Sequence, residues 1–173
     1  HSLAIDIKGA LPTTVSGYSY ILVVVCLLTR FVVAIPMRDQ QSETVARALV
    51  DHVFSVHGSP YSIQSDNASN FKSSVMQALA RLYGIKHVHV LPYQPTANGT
   101  AEAMVKRVSS QLHKHSNALR RWDSHLQLLV HGLNCLEVNR MGCSPFYALF
   151  GRDPVGLAEL AWPDLEKLDE DGS

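Results

Sequence analysis

Three apolar, largely β-branched runs crowd into the first 35 residues, and the connections between them are short. Leu3, Ile5 and Ile7 alternate with Ala4, Asp6 and Lys8, the pattern of a short half-buried strand with Asp6 opposite its apolar face. Gly17 opens the run Tyr18 to Leu28, apolar on both parities as a strand covered on both faces would be. Thr29-Arg30 interrupts it, and Phe31 to Ile35 reads as a third strand stopped by Pro36. Strands joined so closely are expected to pair as an antiparallel meander.

After Pro36 the period changes. Ser42 is placed to cap a helix whose stripe is Val45, Leu49, Val53 and Val56, with Gly58 and Pro60 ending it. Tyr61 to Ser65 is a short strand with Asp66 at its C-terminal end. Ser69 to Tyr83 is a second helix closed by Gly84, and Ile85 to Val90 a fifth strand. Strand–helix–strand–helix–strand implies parallel pairing through right-handed crossovers. The expected fold class is therefore α/β: a five-stranded mixed sheet, three antiparallel strands then two parallel, flanked by helices.

Leu91 to Gly99 holds two prolines, an Asn98-Gly99 pair and no periodicity, so it reads as a loop. A long helix begins near Thr100, with Ala101, Val105, Val108 and Leu112 on its apolar stripe and Glu102 and Lys106 on a polar one. Trp122 to Val138 is a further amphipathic helix. Ser144-Pro145 is an N-cap and N1 pair for a short last helix that Gly151 closes.

At 173 residues the chain fits one domain. The expected division is a core over 1–158 and an acidic tail over 159–173 whose composition favours disorder. Net charge is zero, yet the tail carries six acids against Lys167 alone, leaving 14 basic and 9 acidic residues, or +5, on the body. Between Ala103 and Trp122 there are five basic residues (Lys106, Arg107, Lys114, Arg120, Arg121) and no acid. Such a split suits a polyanionic ligand, although a basic run can also be a plain solvated helix face. The longest apolar run, Ile21 to Leu28, is too short to cross a bilayer, and no membrane partner is expected. Cys26, Cys135 and Cys143 are too scattered for a disulfide framework or a zinc site. His87 and His89, and His113 and His115, lack further ligands at metal-like spacing and read as surface histidines.

Three carboxylates remain. Asp6 lies in the first strand, Asp66 ends the fourth, and Glu102 opens the helix after the loop. If the first and fourth strands are neighbours, both aspartates meet at one edge of the sheet. Hard divalent cations prefer such oxygen donors. Two Mg²⁺ ions about 4 Å apart could activate a water or a 3′-hydroxyl for in-line displacement at phosphorus.

These residues resemble a known family. Asp66 and Glu102 are separated by 35 residues, similar to the D,D-35-E spacing of retroviral and Ty3/gypsy-type long-terminal-repeat retrotransposon integrases. Asp6-Ile-Lys-Gly-Ala-Leu-Pro, Gly17 to Arg30, Gly58-Ser-Pro, Ser65-Asp-Asn, Leu91-Pro-Tyr-Gln-Pro-Thr-Ala-Asn-Gly and Ser144-Pro-Phe-Tyr-Ala-Leu-Phe-Gly-Arg-Asp-Pro resemble the family's segments in order, over about residues 3–154. The resemblance implies an RNase H-like catalytic core and a polynucleotidyl transferase acting in DNA integration, by 3′-end processing and strand transfer. It implies Asp6, Asp66 and Glu102 as catalytic metal ligands for Mg²⁺ or Mn²⁺, two ions with substrate bound. Lys106 resembles a position contacting the element's DNA end, and Arg107, Lys114, Asn67 and Asn98 complete the expected DNA-binding set. An Asx-type helix cap at Asn67 and a simple Glu102 ion pair at Lys106 are the structural alternatives.

Double-stranded DNA, a homodimer or higher oligomer with the Trp122 to Val138 helix as its contact, and a nuclear location are expectations of the same kind. So is the absence of the family's zinc-binding and C-terminal DNA-binding domains, as in an excised core. The chain also departs from the gypsy pattern. Glu102-Ala103-Met104-Val105 replaces Glu-Arg-x-Asn, Ala68 replaces a Gly, and Cys26 an Asp. These departures leave open a domesticated integrase-fold module that binds DNA or protein without catalysis. A plain RNase H-like nuclease or resolvase is the third reading.

Overall fold

The computed structural model describes residues 1–66, 68–89, 103–104, 106–108, 110–111, 120–138 and 141–154. The three apolar runs pair as a meander: β1 (Ser2–Lys8), β2 (Tyr20–Cys26) and β3 (Val32–Met37) are successively antiparallel. β4 (Ser62–Ser65) and β5 (Lys86–His89) add in parallel on the other side of β1, giving the order β3-β2-β1-β4-β5. β1 is thus the hinge between the antiparallel and parallel halves. That topology makes the Asp6 strand the direct neighbour of the Asp66 strand.

Alternation along the strands builds two cores. Leu3, Ile5, Leu22, Val24, Ile35 and Met37 face the helix Ser42–Leu49 and the helix Ser74–Tyr83, meeting Val45, Leu49, Phe71 and Met76. Ala4, Ile21, Val23, Val25, Val32 and Ala34 face Val108 and the helix Trp122–Cys135, meeting Trp122, Leu126, Leu129, Val130 and Leu133. β2 is buried on both sides, as its unbroken apolar run requires. Each fully buried Leu, Ile or Val there contributes about 1.5–3 kcal/mol.

The Trp122–Cys135 helix also closes an edge of the sheet. Asn134, only 3% exposed, accepts the Val32 N–H at Oδ1 and donates from Nδ2 to the Val32 carbonyl, both at 2.8 Å. Gln127 donates to the Ala34 carbonyl at 2.8 Å. Three outward backbone groups of β3, the Val32 N–H and the Val32 and Ala34 carbonyls, are therefore taken by helix side chains, which leaves the strand less to offer a second chain. Pro36 does not stop β3 as the sequence suggested. It lies two residues beyond Ala34 in the same outward orientation of an edge strand, where a missing N–H breaks no ladder bond.

Other boundaries move for identifiable reasons. Gln41, not Ser42, is the N-cap of the first helix, and it makes no side-chain cap bond. That helix passes through a π-helical turn, Val50–Phe54, before its last residues Ser55–His57 and Gly58 at φ 79°. The π turn adds a residue to the stripe, so Phe54 is buried and Val56 is 66% exposed, against the expected Val56 contact. The second helix starts at Ser74, because Ser73 caps it by accepting the Met76 N–H at 3.2 Å, and not at Ser69. The Trp122 helix ends at Cys135, since Leu136 is extended and Val138 bridges back to Cys143. Its apolar stripe is spent on the sheet, leaving Leu128 as its one large exposed apolar residue. Ser144 caps the last helix, Pro145–Phe150, and Gly151 ends it at φ 68°, both as expected.

All three cysteines are free. Among the described residues no helix is long and apolar enough to cross a membrane. Val90, the 91–99 loop and the 159–173 tail lie outside the described residues.

Candidate active site

The parallel register of β1 and β4 builds the site. Ser2 pairs with Ser62, Leu3 with Ile63 and Ala4 with Gln64, a constant offset that, carried past the end of β4, sets Asp66 beside Asp6. Neighbouring strands lie about 4.8 Å apart, so two carboxylates are brought to one sheet edge by topology alone. Asp6 pairs with Val23 on β2 and lies two residues after Ala4, which puts it on the face of the Trp122 core.

Each aspartate is oriented by a backbone N–H. Asp6 Oδ1 accepts from Ile7 at 2.8 Å, and Asp66 Oδ1 accepts from Ala68 at 3.0 Å. The second bond is an Asx turn that fixes the carboxylate as the chain leaves β4. Gly9, just beyond Asp6, has no room for a side chain. An added Cβ would collide with the Tyr20 ring, so glycine is needed for this close approach.

Both carboxylates line an open cleft of about 690 Å³, whose other walls include Gln40, Gln41, Ser42 and Glu43 on one side and Ser69, Asn70 and Phe71 on the other. Gln40 to Glu43 were not foreseen as site residues. The signal was available: β3 ends at the same sheet edge as the C-terminal half of β1, so the segment after Met37 must start there.

Glu102, Asn67, Asn98 and Lys114 lie outside the described residues. Residues 103–104, 106–108 and 110–111, just beyond Glu102, are helical, with Met104 and Val108 packed into the core on Asp6's face of the sheet. Lys106 and Arg107 are exposed. Among the described residues no group of three or more His, Cys, Asp or Glu side chains is arranged to hold a metal. The Asp6–Asp66 pair supplies two hard oxygen donors at a solvent-open cleft, a donor set that suits Mg²⁺ or Mn²⁺ when a third carboxylate joins it.

The histidines of β5, expected on the surface, are only partly exposed. His87 and His89 are half-buried and meet Ser65, with His87 Nε2 at 2.9 Å and His89 Nδ1 at 3.5 Å from its hydroxyl. Burial, then the charge of His89, pushes His87 down to about 4.

The family model for the integrase core domain matches residues 2–95. The chain is 34% identical over 142 residues to the Gag-Pol polyprotein of Baboon endogenous virus (strain M7), covering 80% of this chain. The chain belongs to the integrase core domain family. The core is also 26% identical over 153 residues to Gypsy retrotransposon integrase-like protein 1 of Homo sapiens, covering 88% of this chain. It spans only 8% of the viral polyprotein and 29% of the human protein. The crystal structure of the catalytic core domain of BIV integrase matches with a TM-score of 0.71 at 19% identity, over 87% of this chain and 94% of that one. A chain of the simian T-cell lymphotropic virus intasome, solved with the PP2A regulatory subunit B56 gamma, matches with a TM-score of 0.74 at 21% identity, over 90% of this chain and 56% of that one. The fold is the RNase H-like fold of integrase catalytic cores.

Proposed function

We propose that the chain is the catalytic core of a DNA-integrating polynucleotidyl transferase, in which Asp6, Asp66 and Glu102 hold two Mg²⁺ or Mn²⁺ ions. The observation that carries this reading is the parallel register that sets Asp66 beside Asp6 at an open cleft. Bound ions would supply Lewis-acid activation of the attacking oxygen and neutralise charge at the leaving oxygen. The chain's own part is to present the carboxylates. Ile7 and Ala68 N–H groups orient the two aspartates, and packing of Met104 and Val108 brings the chain just after Glu102 onto Asp6's face.

Lys106 and Arg107, both exposed, would hold backbone phosphates of duplex DNA, in the element's ends and in target DNA. Asn67, Asn98 and Lys114 belong to the same proposed contact set. Action as a homodimer or higher oligomer, in the nucleus, is part of this reading.

The departure at Glu102-Ala103-Met104-Val105 favours one competing reading, a domesticated module that binds DNA or protein without catalysis. A Mn²⁺-dependent joining assay, on the full-length protein that carries this core, separates them. Joining of a labelled duplex end that Asp66→Asn abolishes supports the transferase. Duplex binding with no joining by the wild type refutes it in favour of the binding module.

A further inference from the structure

We propose that Ser65, held by His87, is a positioning residue for Asp66: a hydrogen-bond relay from β5 that fixes the peptide from which the aspartate reaches the cleft. This rests on the reading of Asp66 as a site carboxylate. Ser65 is fully buried and is the last residue of β4, so the ladder ends one residue before Asp66. Its hydroxyl donates to the Asp66 carbonyl at 3.1 Å. A hydroxyl has one proton. With that proton on the Asp66 carbonyl, the 2.9 Å contact to His87 can be made only by an imidazole N–H from Nε2.

The relay has a defined direction: His87 Nε2–H to Ser65 Oγ, and Ser65 O–H to the Asp66 carbonyl. His89 Nδ1 lies 3.5 Å from the same oxygen, and its ring lies 4.3 Å from the His87 ring between centroids. His87 is diagonal to Ser65 across the ladder, paired in register with Ile63, so the bond braces β4 against β5 where regular pairing stops. Asp66 is then fixed twice, at its carbonyl by Ser65 and at its carboxylate by the Ala68 N–H. Removing the hydroxyl frees the peptide plane, and the carboxylate with it.

The experiment is amide hydrogen exchange on the metal-free protein, with the Ala68 N–H as reporter of Asp66 and the Val24 N–H in central β2 as reporter of global opening. Ser65→Ala should speed Ala68 exchange roughly tenfold relative to Val24, while Ser65→Thr and His87→Gln, which keep a hydroxyl and an N–H donor, stay within about twofold of wild type. If Ser65→Ala does not fold, His87→Phe removes the donor and should give the same relative acceleration. Nitrogen-detected NMR should place the His87 proton on Nε2. Ala68 exchange that rises only in step with Val24, or a proton on Nδ1, overturns the proposal. Mn²⁺ titration of the same proteins separates the two readings. A wild type that fails to bind Mn²⁺ refutes the metal site, and the relay still stands or falls on the Ala68 exchange and the His87 proton.

Discussion

Asn134→Ala removes one side chain that holds both backbone groups of Val32 on an edge strand. The two bonds are 2.8 Å each, and Asn134 is 3% exposed, so water does not readily replace them. A buried donor or acceptor left unpaired costs about 1–3 kcal/mol. The two groups therefore set an expected loss of about 2–6 kcal/mol, a large part of the roughly 5–15 kcal/mol typical of a domain. With a urea slope of about 2 kcal/mol/M, the midpoint should fall by roughly 1–3 M. Asn134→Asp is a sharper variant, because it keeps the acceptor for the Val32 N–H but sets a second acceptor against the Val32 carbonyl. It should be no more stable than the alanine variant at neutral pH. Equilibrium urea unfolding followed by Trp fluorescence and circular dichroism is the assay. A loss under about 0.5 kcal/mol for Asn134→Ala, the usual range for surface substitutions, would refute the claim that the helix clamps β3.

Two further outcomes are expected. Because His87 is held at about 4 in the fold against its ordinary 6.5, the unfolded chain takes up a proton below 6.5 that the folded chain refuses until about 4. Stability is thus full above 6.5 and is lost as pH falls across that window. The ring is half exposed, and solvent screening brings the loss to ~1–2 kcal/mol. Burial lowers His57 as well, so its contribution has the same sign. Urea unfolding at both ends of the window should give a smaller pH effect for His87→Gln than for wild type, and equal effects would contradict the assignment. Separately, Lys106→Ala with Arg107→Ala should lower the slope of log K against log salt for duplex DNA by about 1.8. An unchanged slope would mean the DNA lies elsewhere.

What the sequence revealed and what it hid have physical causes. β2 was legible because a strand buried on both faces must be apolar on both parities, and the short connections around it allowed little but a meander. The neighbourhood of Asp6 and Asp66 was only conditional, since spacing does not state strand order; the β1–β4 register decides it. Val56 was misplaced because a regular helical period cannot anticipate a π turn at Val50–Phe54. Pro36 was read as a stop because edge position is a property of the whole sheet. His87 and His89 passed for surface residues because their partner, Ser65, lies on another strand and has no signature in the β5 sequence. Ser69 looked like a helix start, whereas its segment turns through Asp66 and Ala68 contacts before Ser73 caps the helix.

The central claim is that Asp6 and Asp66 act together as hard oxygen ligands. Isothermal calorimetry with Mn²⁺, on wild type, Asp6→Asn and Asp66→Asn, tests it most directly. Saturable binding by the wild type, largely abolished in either variant, is the predicted result. Thermal stability should change little or rise in the variants, because one of two neighbouring like charges is removed. Equal Mn²⁺ affinity in all three proteins would contradict the account.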